Sequence, residues 1–337
     1  MTNPTGPTVS DIGEFPVIER AVKGRRQPGT TLVGPGHDAA VVAATDGRIA
    51  VSTDMLVEGR HFRLDWSTPR QVGRKAVGQN GADVAAVGAR PTAFVVGLGC
   101  PPGTPVAVLD EISAGIGEAA EEIGAGVVGG DLVQAGQVIV SVTVLGELEG
   151  RAPLLRSGAR PGDIVALAGT TGRSAAGLAL LLAGNRDFPE LIESHLVPVP
   201  PYSAGPAAAV AGAHACTDIS DGLVADLGHI CAASGVSVDL DSGALAPGPR
   251  LRDAAAALTA DPWEWVLTGG EDHALAACFP ADIPLPEGWR PIGRVAQGSG
   301  GDPDHGGGVS LDGEQRTGPG GWESFSPGTA RRRSRSR

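Results

Sequence analysis

Strand and helix patterns alternate along both halves of this sequence, which restricts it to an α/β (α+β) fold of layered sheet and helix. Pro69 opens a run with apolar residues at Val72, Ala76, Val77, Val84 and Val87, predicting a helix over 69–88. A strand at 92–98, a helix at about 105–123 and an alternating strand at 138–145 follow. Upstream, Phe15, Ile18 and Val22 mark a helix that ends near Gly24. Asp46-Gly47 stands between β-rich runs at 41–44 and 49–53, the signature of a hairpin. Gly150, Pro153, Gly158, Pro161 and Gly162 then cluster at 148–162, predicting a domain boundary. Beyond it come strands at 163–168, 236–240 and 274–279, and helices at about 174–183, 203–213 and 223–233. Stretches 242–250 and 297–320 read as Gly/Pro/Asp loops. The expected organisation is a disordered start (1–11), a first domain (12–149), a second (150–326) and a basic tail (327–337).

Composition narrows the class. The chain has 337 residues, of which 42% are apolar and 19% charged, enough for a large core without staples. No run approaches 18 apolar residues, and MTNPTGPTVSDIGEF lacks a basic start followed by an apolar block. Neither a membrane span nor a secretory signal is expected. Cys100, Cys216, Cys231 and Cys278 lie far apart with no C-x-x-C pair, which fits reduced thiols in a cytoplasmic protein. Five of the 26 basic residues are arginines in the last seven positions, so the body carries 21 basic against 38 acidic residues. Such a body does not bind nucleic acid by neutralising phosphates. If it handles a polyanion such as ATP, metal cations must mediate. Only Lys23 and Lys75 are lysines, and 52 residues are glycine, a coding bias that lowers the weight of any single glycine.

Aspartates recur beside glycine or small residues where β runs end. The instances are Asp38, Asp54, Asp83, Asp131, the pair Asp218 and Asp221, and Glu271-Asp272. Turn and cap chemistry explains any one of them. Six such places in one acidic chain point further, because gathered carboxylates repel unless a hard cation sits between them. Oxygen ligands without clustered Cys or His favour Mg²⁺, Mn²⁺ or Ca²⁺ over zinc. No EF-hand loop occurs, and Mg²⁺ pairs carboxylates with substrate phosphates. Yet there is no G-x-x-x-x-G-K-[ST], H-R-D or D-F-G motif. Gly34-Pro-Gly36-His-Asp-Ala39 matches G-x-G-x-x-A but leads into β-rich sequence rather than a helix, so it fails as a dinucleotide fingerprint.

The ordered blocks Gly13-Glu-Phe15, Gly36-His-Asp38-Ala-Ala-Val, Ser52-Thr-Asp54-Met-Leu-Val-Glu-Gly-Arg-His61-Phe and Lys75-Ala-Val-Gly-Gln-Asn80-Gly-Ala-Asp83 carry a resemblance. So do Gly130-Asp131, Arg156-Ser-Gly-Ala-Arg-Pro-Gly-Asp163, Asp218-Ile-Ser-Asp221-Gly-Leu and Gly269-Gly-Glu271-Asp272. From about 13 to 325 the chain resembles the thiamine-monophosphate kinases, of the superfamily that includes aminoimidazole ribonucleotide synthetase and selenophosphate synthetase. The resemblance implies a two-lobed ATP-binding fold. Its first lobe would bind ATP and metal and dimerise into a β-barrel, and its second would be an α/β sandwich. It implies phosphorylation of thiamine monophosphate to thiamine diphosphate, with ATP as co-substrate and several Mg²⁺ ions. Asp38, Ser52, Thr53, Asp54, Asp83, Asp131, Asp218 and Asp221 resemble its magnesium ligands. Gly130, Asp131, Arg156 and Ser220 resemble ATP contacts, and His61, Glu271 and Trp322 the thiamine-phosphate contacts. His37 and His273 depart from the family, where relatives carry aspartate and tyrosine. No general base is expected, because a phosphate oxygen is already anionic at neutral pH. The expected partners are the two substrates and a second copy of the chain, with no nucleic acid or membrane. A cyclo-ligase of the aminoimidazole ribonucleotide synthetase type, or a non-catalytic metal-binding protein, remains the alternative.

Overall fold

A computed structural model provides the structure, and it describes residues 6–35, 39–298, 308–315 and 320–321. The first lobe contains α1 (Val9–Ile12), α2 (Glu14–Val22), β1 (Thr31–Val33), β2 (Val41–Val42) and β3 (Ala50–Val57). It continues with α3 (Pro69–Ala86), β4 (Arg90–Cys100), α4 (Val106–Glu122), β5 (Gly126–Gln134) and β6 (Ile139–Glu147). The start of the chain is tied down before residue 12: the amides of Val9 and Ser10 donate to the carbonyls of Thr104 and Pro102.

The four-stranded sheet has the order β3-β6-β4-β5, with β4 and β5 parallel and the other pairs antiparallel. The hairpin expected across Asp46-Gly47 does not form. Instead β2 pairs with β1, and β3 pairs over eight residues with the distant β6, from Ala50↔Gly146 to Val57↔Ile139. The two residues of β2 offer too short a ladder to compete. Alternation along β3 then sorts its side chains. Ser52, Asp54 and Leu56 face α3 and α4, while Val51, Thr53 and Met55 face the open side. Thr68 starts α3 through a capping box with Gln71, and Pro69 fills its first turn. Leu56, Val77, Phe94, Ile112 and Val142 form the core between sheet and helices.

The second lobe contains β7 (Ile164–Ala168), α5 (Arg173–Ala183), α6 (Pro189–Leu196), α7 (Ala204–Ala211), β8 (Ala215–Ile219), α8 (Leu223–Ser234) and β9 (Val236–Leu240). It ends with α9 (Ser242–Leu245), α10 (Pro249–Leu258), α11 (Pro262–Thr268), β10 (Ala274–Phe279), β11 (Trp289–Gln297), β12 (Val309–Leu311) and β13 (Glu314–Gln315). The stretches expected as loops at 242–250 and 297–320 therefore hold α9, the start of α10 and two short strands. The seven-stranded mixed sheet runs β13-β12-β9-β11-β7-β10-β8. Its central strands are buried on both faces. Val165, Leu167 and Ala276 pack with Leu180 and Leu223, while Ala166, Leu275 and Phe279 pack with Ala204 and Ala208.

That second face also receives Ala85 and Ala86 from the end of α3, so one apolar cluster joins the lobes. The approach is close: a Cβ at Gly81 would lie 2.5 Å from the Tyr202 ring, and one at Gly78 would lie 2.8 Å from the Pro198 carbonyl. Helix α3 is thus the shared wall between the two sheets. Cys100, Cys216, Cys231 and Cys278 are buried free thiols. No helix among the described residues is long and apolar enough to cross a membrane.

Candidate active site

Acidic residues from both lobes meet where α3 faces the end of β8. On the first-lobe side, Asn80 is anchored by donating from Nδ2 to the Ala76 carbonyl (2.9 Å), and its Oδ1 accepts the Asp54 amide (3.0 Å). That amide is free because β3 is an edge strand. Ser52 Oγ, on the same face, donates to Asp83 Oδ2 (2.6 Å). Burial raises the Asp83 carboxyl to about 6, and the charges of Asp218 and Asp54 add to the rise against the Ser52 hydrogen bond.

On the second-lobe side, Asp218 lies buried in β8, and the chain turns at Asp221-Gly222 into α8. Asp226 secures the turn by accepting the amides of Asp221 and Gly222 (3.0 Å each). Burial, followed by repulsion from Asp218, raises Asp226 to about 7 and also lifts Asp221. Ligand atoms of Asp221, Asp226 and His229 lie within 4.8 Å of one another. Asp218 Oδ2 is buried without a hydrogen-bond partner among the described residues, 3.6 Å from His273 Nδ1. Burial opposes protonation of His273, but the neighbouring charges of Asp218 and Glu271 win and raise its pKa. An orphaned carboxylate oxygen amid carboxyls held above their ordinary range fits a hard divalent cation.

The loop between α11 and β10 presses on this turn. The Glu271 amide donates to the Ser220 carbonyl (2.7 Å), and the His273 amide donates to the Ile219 carbonyl (2.9 Å). Gly270 permits the approach, because a Cβ there would lie 2.7 Å from the Ser220 oxygen. Glu271 and His273 both hold positive φ, 62° and 51°, a strain that stable surroundings must impose. Asp272 points the other way and caps α5, accepting the Ser174 amide (2.8 Å), and burial pushes its carboxyl up to about 7.

His61 Nδ1 accepts the Val57 amide (3.0 Å), so its proton sits on Nε2, ready to donate. Burial lowers its pKa and keeps the ring neutral. Glu271 stays below the usual carboxylate range: burial pushes it up, and Lys75, His195 and His273 outweigh that.

Two family models match this chain. The AIR synthase related protein N-terminal domain matches residues 36–148, and the corresponding C-terminal domain matches 160–282. The thiamine-monophosphate kinase of Mycobacterium tuberculosis is 58% identical over 320 residues, covering 95% of this chain and 93% of that protein. The chain belongs to the thiamine-monophosphate kinase family. The solved thiamine monophosphate kinase of Aquifex aeolicus superposes with a TM-score of 0.74 at 30% identity, covering 91% of this chain and 97% of that one. AaThiL complexed with AMPPCP and TMP superposes at 0.76 and 32% identity, covering 92% and 96%.

Of the magnesium ligands that the family resemblance implies, the fold gathers Ser52, Asp54, Asp83, Asp218 and Asp221. Thr53 and Asp131 lie on the open face of the first sheet. Thr53 Oγ1 donates to the Val142 carbonyl and accepts from Thr143 Oγ1, and Asp131 shares a cross-strand row with Gly97, Ser141 and Met55. Asp131 is not at a strand end, as expected, but inside β5, where Gly130 lets the strand pass the Val96 carbonyl. Asp54 and Asp83 likewise sit within a strand and a helix. Arg156 is exposed, and its charge reaches Asp221. Asp38 and Trp322 lie outside the described residues. Gly321, just before Trp322, packs against the Asp221 carbonyl and Ala225. Sequence reasoning assigned no role to Lys75, Asn80, His195 or Asp226. Lys75 and His195 act through contacts to residues far away in sequence, Asn80 through its hold on the Asp54 amide, and Asp226 through two amides of its own turn, none of which composition or turn chemistry singles out.

Proposed function

We propose that the carboxylates gathered between α3 and β8 hold magnesium ions on which this chain phosphorylates thiamine monophosphate with ATP, forming thiamine diphosphate. The observation that carries this reading is the cluster of Asp54, Asp83, Asp218 and Asp221, with an Asp218 oxygen that has no hydrogen-bond partner among the described residues and with Asp83 and Asp221 held above the ordinary carboxylate range. Its support in the family is the AaThiL complex with AMPPCP and TMP. Magnesium held there supplies charge neutralisation between two polyanions, the main obstacle to the transfer.

The chain's own residues then orient the reactants. His61 Nε2–H donates to a phosphate oxygen of thiamine monophosphate. Glu271 faces the cationic thiazolium, and the family resemblance alone assigns Trp322 to the same substrate. Arg156, Ser220 and Gly130 attend the ATP phosphates. The family resemblance also counts Thr53, Asp38 and Asp131 in the metal set, although the Thr53 and Asp131 side chains lie on the open face of the sheet, away from the gathered carboxylates. No residue needs to remove a proton, since the attacking phosphate oxygen is already anionic. The open sheet face, with Val51, Met55 and Val133 exposed, is the surface on which two chains pair into a homodimer. Four buried cysteines without a disulfide fit a cytoplasmic enzyme.

The test is direct. With ATP and Mg²⁺, the full chain converts thiamine monophosphate into thiamine diphosphate. Absence of product overturns the reading. Turnover of formylglycinamidine ribonucleotide in its place reassigns the chain as a cyclo-ligase.

A further inference from the structure

The chain uses arginine at 24 of its 26 basic positions, yet the residue at the centre of the lobe junction is a lysine. Lys75, on α3, is 2% exposed. Its Nζ donates to the His61 carbonyl (3.1 Å), the His195 carbonyl (3.2 Å) and Glu271 Oε2 (3.2 Å). An ammonium has three donors, and all three are used. The acceptors converge on one atom, which a planar guanidinium cannot imitate. They come from three places: the loop after β3 in the first lobe, α6, and the strained loop before β10 in the second. His195 completes the setting. Its Nδ1 lies 3.0 Å from Ser174 Oγ and 3.4 Å from Glu271 Oε2, and burial followed by the Lys75 charge lowers its pKa to about 4, leaving a neutral ring.

We infer that Lys75 is a positioning residue for the acceptor substrate: one buried ammonium joins the His61 backbone to the Glu271 carboxylate and so sets the distance between the two thiamine-phosphate contacts. The inference rests on the assignment of His61 and Glu271 to thiamine monophosphate. Glu271 holds φ = 62° against its own preference, and the ion pair with Lys75 is a force that keeps it there. Without the ammonium, Glu271 is free to relax, and the loop carrying His61 loses its tie to the second lobe. Ser220, assigned to ATP, is tied to Glu271 through the backbone amide rather than through the carboxylate, so ATP is affected less than thiamine monophosphate.

Kinetics of the full chain with Mg²⁺ test this, once the unaltered chain has been shown to make thiamine diphosphate. Lys75→Met, close in volume but uncharged, should raise KM for thiamine monophosphate by about tenfold or more, the loss expected when a supporting partner is removed. KM for ATP should stay within about twofold. In a Glu271→Gln background the same substitution should have a smaller effect, because the part carried through Glu271 is already lost and only the tie to the His61 carbonyl remains to break. Equal rises in both Michaelis constants, or an undiminished effect in the Glu271→Gln background, overturn the inference and leave Lys75 a plain structural cation. A second measurement does not depend on the variant folding. With only two lysines, Nζ-labelled protein gives two lysine NMR signals. Thiamine monophosphate should shift the Lys75 signal, whereas ATP alone should not. A Lys75 signal indifferent to thiamine monophosphate also overturns it.

Discussion

Asp83 is buried against Asp54 and Asp218, so its charge destabilises the fold in the absence of a cation, and in the proposed function the same charge would serve a bound magnesium ion. Asp83→Asn keeps an acceptor for Ser52 Oγ and removes the repulsion. It should therefore cut turnover by at least about 100-fold while leaving the melting temperature of the metal-free protein unchanged or higher. Calorimetry showing a clear loss of stability would contradict this account. Michaelis constants separate the two substrates: Trp322→Ala should raise that for thiamine monophosphate, and Arg156→Ala that for ATP. If Trp322→Ala moves neither constant, the C-terminal assignment is wrong and the aspartate cluster still stands. The recurrence of Asp beside small residues made much of this cluster legible, since each occurrence is local. Lys75 and Glu271 are 196 positions apart, and no window of sequence contains both. Ser52, Thr53 and Asp54 are consecutive in β3, so period-two alternation turns the Thr53 side chain to the face opposite the other two.

Among the elements, α3 carries the molecule's organisation. Its start was readable from Pro69 and its apolar spacing, and the structure places it at Pro69–Ala86. Strands with strong β composition, such as β4 and β10, were equally visible. Helices α6 and α10 were not, because short helices in Pro-flanked, charged sequence resemble loops until packing selects them. The failed hairpin has a similar cause: turn chemistry at Asp46-Gly47 is local, whereas the eight-pair ladder to β6 is not. Glycines in α3 carry a message that composition concealed. Gly73 crosses α4 where a Cβ would overlap the Ile112 carbonyl and crowd the Ile116 amide. Gly73→Ala gains about 1 kcal/mol of helix propensity. It loses roughly 1–3 kcal/mol to overpacking against backbone that cannot swing aside. The loss wins. Urea unfolding should show net destabilisation of up to about 2 kcal/mol, and a stabilised variant would mean that the two helices separate easily.

At the scale of the whole molecule there are two problems: the first sheet leaves exposed apolar residues on its open face, and both lobes bring like charges to their junction. For the first, Val51→Glu or Met55→Glu should convert a sedimenting dimer into a monomer, and an unchanged dimer would move the interface elsewhere. For the second, the cure is either a proton or a cation. Burial and neighbouring carboxylates push Asp83 up to about 6 and Asp226 up to about 7 in the folded chain, whereas an ordinary aspartate titrates near ~4. Between those values the folded state holds more protons than the unfolded one, so these groups contribute stability at low pH that is lost as pH rises through about 6 to 7. Magnesium competes with those protons. At about pH 5.5 the protons already relieve the repulsion, and the cation adds little. At about pH 8 the carboxylates are bare and the cation has the most to offset. The rise in melting temperature produced by Mg²⁺ should therefore be larger at pH 8 than at pH 5.5, and Asp83→Asn should flatten the difference. Equal stabilisation at both values would mean that magnesium binds away from the buried aspartates, at carboxylates that are already ionised throughout this range.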